Sequence, residues 1–276
     1  MGLTDLFWLF FMFAALQPMI RQRMLVYLRQ RKIAEIQTKR GTRVIALVHR
    51  QETMRLLGFP LVRYIDMDDS EDITRAIHET DPATPIDIVL HTPGGLVLAA
   101  LQIARAIDRH PAKVTVLIPH LAMSGGTLIA MAADEIVISP HAVLGPIDPQ
   151  IGSFPAASLM KVVADKPIAE IDDQTLILAD VGRKATAQVR KAAQELLEKP
   201  LGAERAASVA EKMTSGTWTH DYAITPDEAR SLGLPISTEM PEEVLELLSL
   251  YPQPVRAVPT VEYLPVPPRP PSRDGR

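Results

Sequence analysis

The chain has 276 residues, a formal net charge of -4, 47% hydrophobic residues and 22% charged ones. That is enough apolar content for a sizeable core, and the negative balance argues against a partner held by bulk electrostatics, such as nucleic acid. Cysteine is absent, which excludes disulfides, a thiol nucleophile and thiolate metal sites.

The first predicted element is apolar. LFWLFFMFAAL spans Leu6 to Leu16, and the apolar stretch from Leu3 to Ile20 is about 18 residues, near the lower limit for a bilayer span. No basic residue precedes it and no A-x-A site follows, so it does not read as a signal peptide. Asp5 precedes it, whereas Arg21, Arg23, Arg29, Arg31 and Lys32 follow. Residues 1–20 are therefore expected to be a single-pass membrane anchor, in contact with membrane lipid, with the domain on the cytoplasmic side. The competing reading is a helix buried in the fold or lying flat at the interface. Residues 21–41 alternate basic and apolar positions at near-helical spacing and predict an amphipathic juxtamembrane helix, or else a surface helix of the domain.

Strand and helix signals then alternate through 42–251. TRVIALVHRQ predicts a first strand from Arg43 to His49. VRYIDMDDSEDITRAIHET predicts a strand and a helix capped near Ser70. PIDIVLHTPGG is a buried strand ending in a turn, LVLAALQIARAIDRH an amphipathic helix, AKVTVLIPHLAM another buried strand and SGGTLIAMAAD another helix. EIVISPHAVLGPID adds a short strand and a turn. This order predicts an α/β fold with a mostly parallel sheet covered by helices. From Pro155 to Met213 the pattern is helical, then comes a loop with WTHDY, a short helix, and a last helix in PEEVLELLSLY. The proline-dense segment 252–276 reads as an extended or disordered tail.

Two glycine turns, Pro93-Gly94-Gly95 and Ser124-Gly125-Gly126, each follow a buried strand and open a helix. Backbone N–H groups at such places lack intrahelical partners and can face an anion or a developing oxyanion. A serine at a helix start is ordinarily an N-cap. It is a nucleophile when it also has exposure on a tight turn, oxyanion donors and a base. The histidines have no metal-binding spacing and no phosphate loop is present, so neither a metal nor another cofactor is expected.

HTPGGLVLAALQIARAI together with MSGGTLIAMAADEIVISPHAVLGPIDPQIG resembles the Clp/crotonase superfamily of serine peptidases. The similarity is nearest to the membrane-associated serine dehydrogenase proteinases, relatives of signal peptide peptidase A and of the Clp proteolytic subunit. It covers roughly residues 43–234. The resemblance implies a Clp/crotonase-like domain in which Ser124 attacks a peptide carbonyl. Gly94, Gly95 and Leu96 would form the first oxyanion turn, and Gly125 would supply the second donor. It also implies polypeptide substrates and a homo-oligomer, a trimer or a multiple of one.

The base is the open position. The stretch AVLGPIDPQ, where the Clp subunit carries its histidine, has none here. Relatives of signal peptide peptidase A use a lysine before the following long helix, which on this chain implies Lys166, with Lys161 as the alternative. A lysine acts as a base only when its pKa falls well below its value in water. His91 and His120 flank the two turns and read as local structure, while His220 and Asp221 in WTHDY read as a hydrogen-bonded turn or as part of the site's rim. The resulting expectation is a membrane-anchored serine peptidase with a Ser124–Lys166 dyad. The alternatives are an acyl-CoA-type hydratase or isomerase on the same fold and a catalytically silent membrane scaffold.

Overall fold

The computed structural model describes residues 3–50, 54–56, 59–61 and 63–251. The tail expected over 252–276 lies outside the described residues. In chain order the elements are α1 (Leu3–Arg40), β1 (Arg43–Val48), β2 (Met54–Leu56), β3 (Phe59–Leu61), α2 (Met67–His78), β4 (Ile86–His91), α3 (Val97–Asp108) and β5 (Val114–Ile118). There follow β6 (Leu121–Ala122), α4 (Gly125–Ala130), β7 (Glu135–Ile138), β8 (Val143–Leu144), β9 (Gln150–Ile151), β10 (Phe154–Pro155) and α5 (Ala156–Asp165). A 3-10 turn (Ile168–Glu170) leads to α6 (Asp173–Leu201), α7 (Ala203–Thr214), α8 (Pro226–Leu232), β11 (Ile236–Ser237) and α9 (Glu242–Ser249).

The main sheet has the order β1-β4-β5-β7-β11, with every neighbouring pair parallel. Parallel strands need crossover helices, which cover both faces and bury the central strands on both sides. All six residues of β4 and all five of β5 are accordingly buried. Alternate residues divide between two cores. Ile88, Leu90, Val116 and Ile118 pack towards α3, α4, α6 and α7, while Val89, Leu117 and Val137 pack against Ile36 of α1 and Val244 and Leu247 of α9.

The N-terminal segments expected as an anchor and a separate juxtamembrane helix form one continuous helix, α1. Its last turns belong to the domain. Ile36 is 1% exposed, Lys32 and Lys39 pair with Glu246 and Glu243 of α9, and Arg40 and Thr42 both bond the buried carboxylate of Asp87. Gln37 Oε1 accepts the Val44 N–H at 3.1 Å. The first half of α1 carries exposed Phe7, Trp8, Met12, Phe13, Leu16, Met19 and Ile20. Among the described residues, no helix is long and apolar enough to cross a membrane.

Two local readings differ. The strand expected before α2 is reduced to one bridge, Ile65 to Gly95. The α2 cap is Asp66 rather than a residue near Ser70. Asp66 and Asp69 exchange side-chain-to-backbone bonds at 3.0 Å, a capping box built with a carboxylate in the usual Glu position.

Candidate active site

β4 and β5 are neighbours, so the turns that follow them meet at the C-terminal edge of the sheet, where open α/β folds place ligands. In the first turn Ile65 N–H donates to Gly94 O and Leu96 N–H donates to Ile65 O, each at 2.8 Å. Gly94 N–H donates to Thr92 Oγ1 at 3.1 Å. Of the three amides expected to face substrate, those of Gly94 and Leu96 are thus engaged within the protein. Gly95 N–H makes no hydrogen bond with a described residue. Glycine is required at 95 by the neighbouring chain, because a Cβ there would fall 2.3 Å from both the N and the O of Ile65.

Ser124 has φ 49° and ψ -114°, and among the described residues it is the one non-glycine with positive φ. That conformation costs about 1–3 kcal/mol. Its side chain makes no capping bond, although it sits at the N-cap of α4. The ordinary reason for a serine at this position is therefore absent. The Gly125 N–H that follows also makes no hydrogen bond with a described residue. A Cβ on Gly125 would lie 3.6 Å from Gly95 N, and one on Gly94 would lie 2.8 Å from Ser124 Cβ and 3.3 Å from Gly125 N. Two unused amides and the serine thus share one small space. Thr127 fixes the second turn from below. Its Oγ1 lies 2.7 Å from Ala122 O and 2.8 Å from Gly145 O, and it accepts the Gly145 N–H at 3.0 Å.

A buried relay holds the first turn. His49, 5% exposed, bridges Asp69 Oδ2 through Nε2 at 3.1 Å and Thr92 Oγ1 through Nδ1 at 3.0 Å. Thr92 Oγ1 in turn receives the Gly94 N–H. The arrangement is satisfied when His49 Nε2 carries a proton towards Asp69 and Thr92 donates to Nδ1. Sequence reasoning missed this relay because β1, α2 and β4 supply its three members. The one local signal was a hydroxyl immediately before Pro93-Gly94-Gly95.

His91 and His120 meet edge to face, with ring centroids 5.9 Å apart. Burial, and then the nearby Arg50 charge, lower the His91 pKa to about 4; the same causes lower that of His120. Neither ring bonds Ser124. Lys166 caps the C-terminus of α5, is exposed, and donates to Glu170 O at 3.3 Å. Lys161 is exposed and paired with Asp165 at 2.7 Å, which raises its pKa, the direction opposite to that needed for a base. No hydrogen bond joins either lysine to Ser124 in the single chain. A His–Asp pair does exist elsewhere: His220 Nδ1 lies 2.8 Å from Oδ1 of buried Asp148, which also receives the Gln150 amide at 2.7 Å on Oδ2. The WTHDY loop is thus a hydrogen-bonded structure, with Trp218 stacked on Tyr222. Among the described residues, no group of three or more His, Asp or Glu side chains is placed to hold a metal ion.

A family model described as ClpP-like SDH-type serine proteinase matches residues 1–275. The chain belongs to this family. Two uncharacterised proteins of Methanocaldococcus jannaschii are similar to this ClpP-like serine proteinase along nearly all of its length. One is 48% identical over 262 residues, covering 95% of this chain and 92% of the relative. The other is 50% identical over 264 residues, covering 95% and 90%. Among solved structures, the 1510-N membrane-bound stomatin-specific protease aligns over 67% of this chain and 79% of its own, with 24% identity and a TM-score of 0.46.

Proposed function

We propose that this ClpP-like proteinase is a membrane-anchored serine peptidase, with Ser124 as nucleophile and the amides of Gly95 and Gly125 as its oxyanion hole. The observation that carries the reading is the strained, uncapped Ser124 beside two unengaged N–H groups. Strain of this kind persists where the surroundings impose it, and it concentrates at functional sites. Ser124 Oγ attacks the peptide carbonyl, whose oxygen takes the negative charge and both amide bonds. The base takes the Oγ proton and returns it to the leaving amine. The acyl-enzyme is then hydrolysed by water with the proton transfers reversed.

Lys166 is the base in this reading. Its seat on Glu170 O, at the link between α5 and α6, leaves it in solvent in the single chain. Assembly with further copies would take that link out of solvent, the condition under which a lysine can act as a base. A second reading takes the base from His220, because its carboxylate partner Asp148 orients it as a base is oriented. Covalent labelling with a fluorophosphonate tests both. Wild type is expected to label at Ser124, Lys166→Ala to label at least about tenfold more slowly, and Lys161→Ala to label normally. Loss on His220→Ala with normal labelling of Lys166→Ala would move the base to the histidine. Absence of label on the wild-type protein would remove the nucleophile.

The membrane part of the proposal is supported by the exposed apolar residues in the first half of α1 and the basic residues that follow. The substrates are polypeptides near that membrane.

A further inference from the structure

α1 runs antiparallel to β1. It enters β1 through Gly41, and Gln37 lies beside Val44. Eight residues earlier on the helix, Arg29 donates to Leu250 O at 2.9 Å and covers the Tyr251 ring at 4.0 Å. Tyr251 O accepts from Arg50, two residues past the end of β1, at 2.7 Å. Arg29 is therefore level with the C-terminal end of β1. The sheet register carries that level across to the catalytic turns: Val48 faces His91, and Val89 faces Leu117. Gly94, Gly95 and Ser124 follow those strand ends. Residues 3–28 of α1 accordingly project from the edge of the sheet that bears the site, not from the opposite one. From Arg29 to Ile20 the helix rises about 14 Å at 1.5 Å per residue.

A second observation lies on the same edge. Leu96 and Leu98 are 54% and 62% exposed and adjoin the first oxyanion turn, with exposed Tyr64 and Met67 across the Ile65–Gly95 bridge. Large apolar side chains gathered at the mouth of a site suit apolar peptide or the interfacial layer of a bilayer rather than open solvent.

We propose that the catalytic edge faces the bilayer, with Ser124 held within about 15 Å of it by α1. The substrates are then the juxtamembrane segments of membrane-inserted polypeptides. This rests on the anchored-peptidase reading and adds to it a direction and a distance. Because α1 is unbroken between its exposed apolar half and Ile36, the spacing is set by a helix rather than by a flexible linker.

The test uses full-length protein in phosphatidylcholine–phosphatidylglycerol vesicles and two fluorophosphonates. One is free in solution, and the other is tethered to a lipid headgroup by a linker reaching roughly 15 Å. The tethered probe is expected to label Ser124 about tenfold faster than the free probe at equal bulk concentration, because tethering raises its effective concentration. A helical insert of about two turns between Arg23 and Met24, which lifts the site by roughly 10 Å, should abolish that advantage and leave labelling by the free probe unchanged. Free-probe labelling with no tethered-probe labelling of the wild type overturns the orientation alone. Failure of the protein to float with carbonate-washed vesicles overturns the anchor, and absence of labelling by the free probe overturns the nucleophile; the proposal falls with either.

Discussion

Thr92→Val replaces one fully buried oxygen by a methyl group of nearly the same size. Thr92 is 0% exposed, and its Cγ2 already packs where a Cβ on Gly126 would come within 2.6 Å. The packing of the second turn is therefore kept, and the effect is confined to the hydrogen bonds of Thr92 Oγ1. Gly94 N–H loses its acceptor and His49 Nδ1 loses its partner, both in the interior. A buried polar group left unsatisfied costs about 1–3 kcal/mol, so two give about 2–6 kcal/mol before relaxation. The chemical consequence follows from position. Gly94 N–H is one residue before Gly95 N–H, and freeing the first lets the second swing. Removing an oxyanion donor outright costs about 10²–10³ in kcat, which bounds the loss from a misdirected one. The measurements are the fluorophosphonate labelling rate and the urea midpoint, on Thr92→Val and on Thr92→Ser. The serine variant keeps the oxygen and should restore the labelling rate. If Thr92→Val labels Ser124 at the parental rate while folded, the relay from Asp69 through His49 does not position the oxyanion turn.

Ser124→Ala should abolish labelling yet change stability by less than about 0.5 kcal/mol, since no capping bond is lost. Ser124→Gly should also be inactive but more stable by about 1 kcal/mol, because glycine relieves the positive φ; calorimetry separates the two, and equal midpoints would mean that Ser124 is unstrained. Deleting residues 1–20 should leave the domain folded. Deleting 1–40 should destabilise it by several kcal/mol, from about 1.5–3 for the burial of Ile36 and about 3–5 for leaving the Asp87 carboxylate without Arg40; proteolysis of the two truncations tells them apart. Two histidines should act on stability with opposite sign. His91 is held neutral by burial, so its contribution is complete above about pH 6.5 and is lost as pH falls towards about 4, whereas the unfolded ring protonates near 6.5. His220 is raised by its bond to Asp148, so its contribution is complete below about pH 6.5 and is lost as pH rises through the raised folded value. Urea unfolding at stepped pH should show a flatter acid limb in His91→Asn and a flatter alkaline limb in His220→Asn.

The elements most legible in the sequence were those whose signal is local. IDIVLH and VTVLI are uninterrupted apolar runs, and both became central parallel strands. Ser124, Gly94, Gly95 and Gly125 could be picked out because turn chemistry concentrates small residues next to such runs. What each amide does was not legible. Whether Gly94 or Gly95 points its N–H into the open space depends on Ile65, a residue some thirty positions away that bonds both sides of Gly95. The same holds for His49 and Asp69, whose partnership exists only once β1 and α2 have packed. The N-terminal segment shows the converse. Its change of composition at Arg21 suggested a boundary between two helices, but a helical backbone is indifferent to the change from apolar to basic side chains, and α1 continues through it into the domain. The WTHDY loop had two readings, and the two are compatible: His220 is hydrogen-bonded to buried Asp148, and the same bond would orient it as a base.

Gln37 has a part in keeping the molecules apart from one another. β1 forms one border of the main sheet. Its Arg43 and His49 amides bond inward, to Pro85 O and His91 O, so the alternate amides beginning with Val44 point away from the sheet. A border of outward N–H and C=O groups is a template on which another strand can add, and repeated addition makes fibres. The Gln37 carboxamide occupies the first of those donors, and it does so from a helix that also stands alongside the strand. At the other border β11 is only two residues long, too short to offer much pairing. A chain with Gln37→Ala should therefore keep its fold and lose solubility on storage at high concentration. The remedy would be a charged residue on the outward side of β1, not further stabilisation of the core.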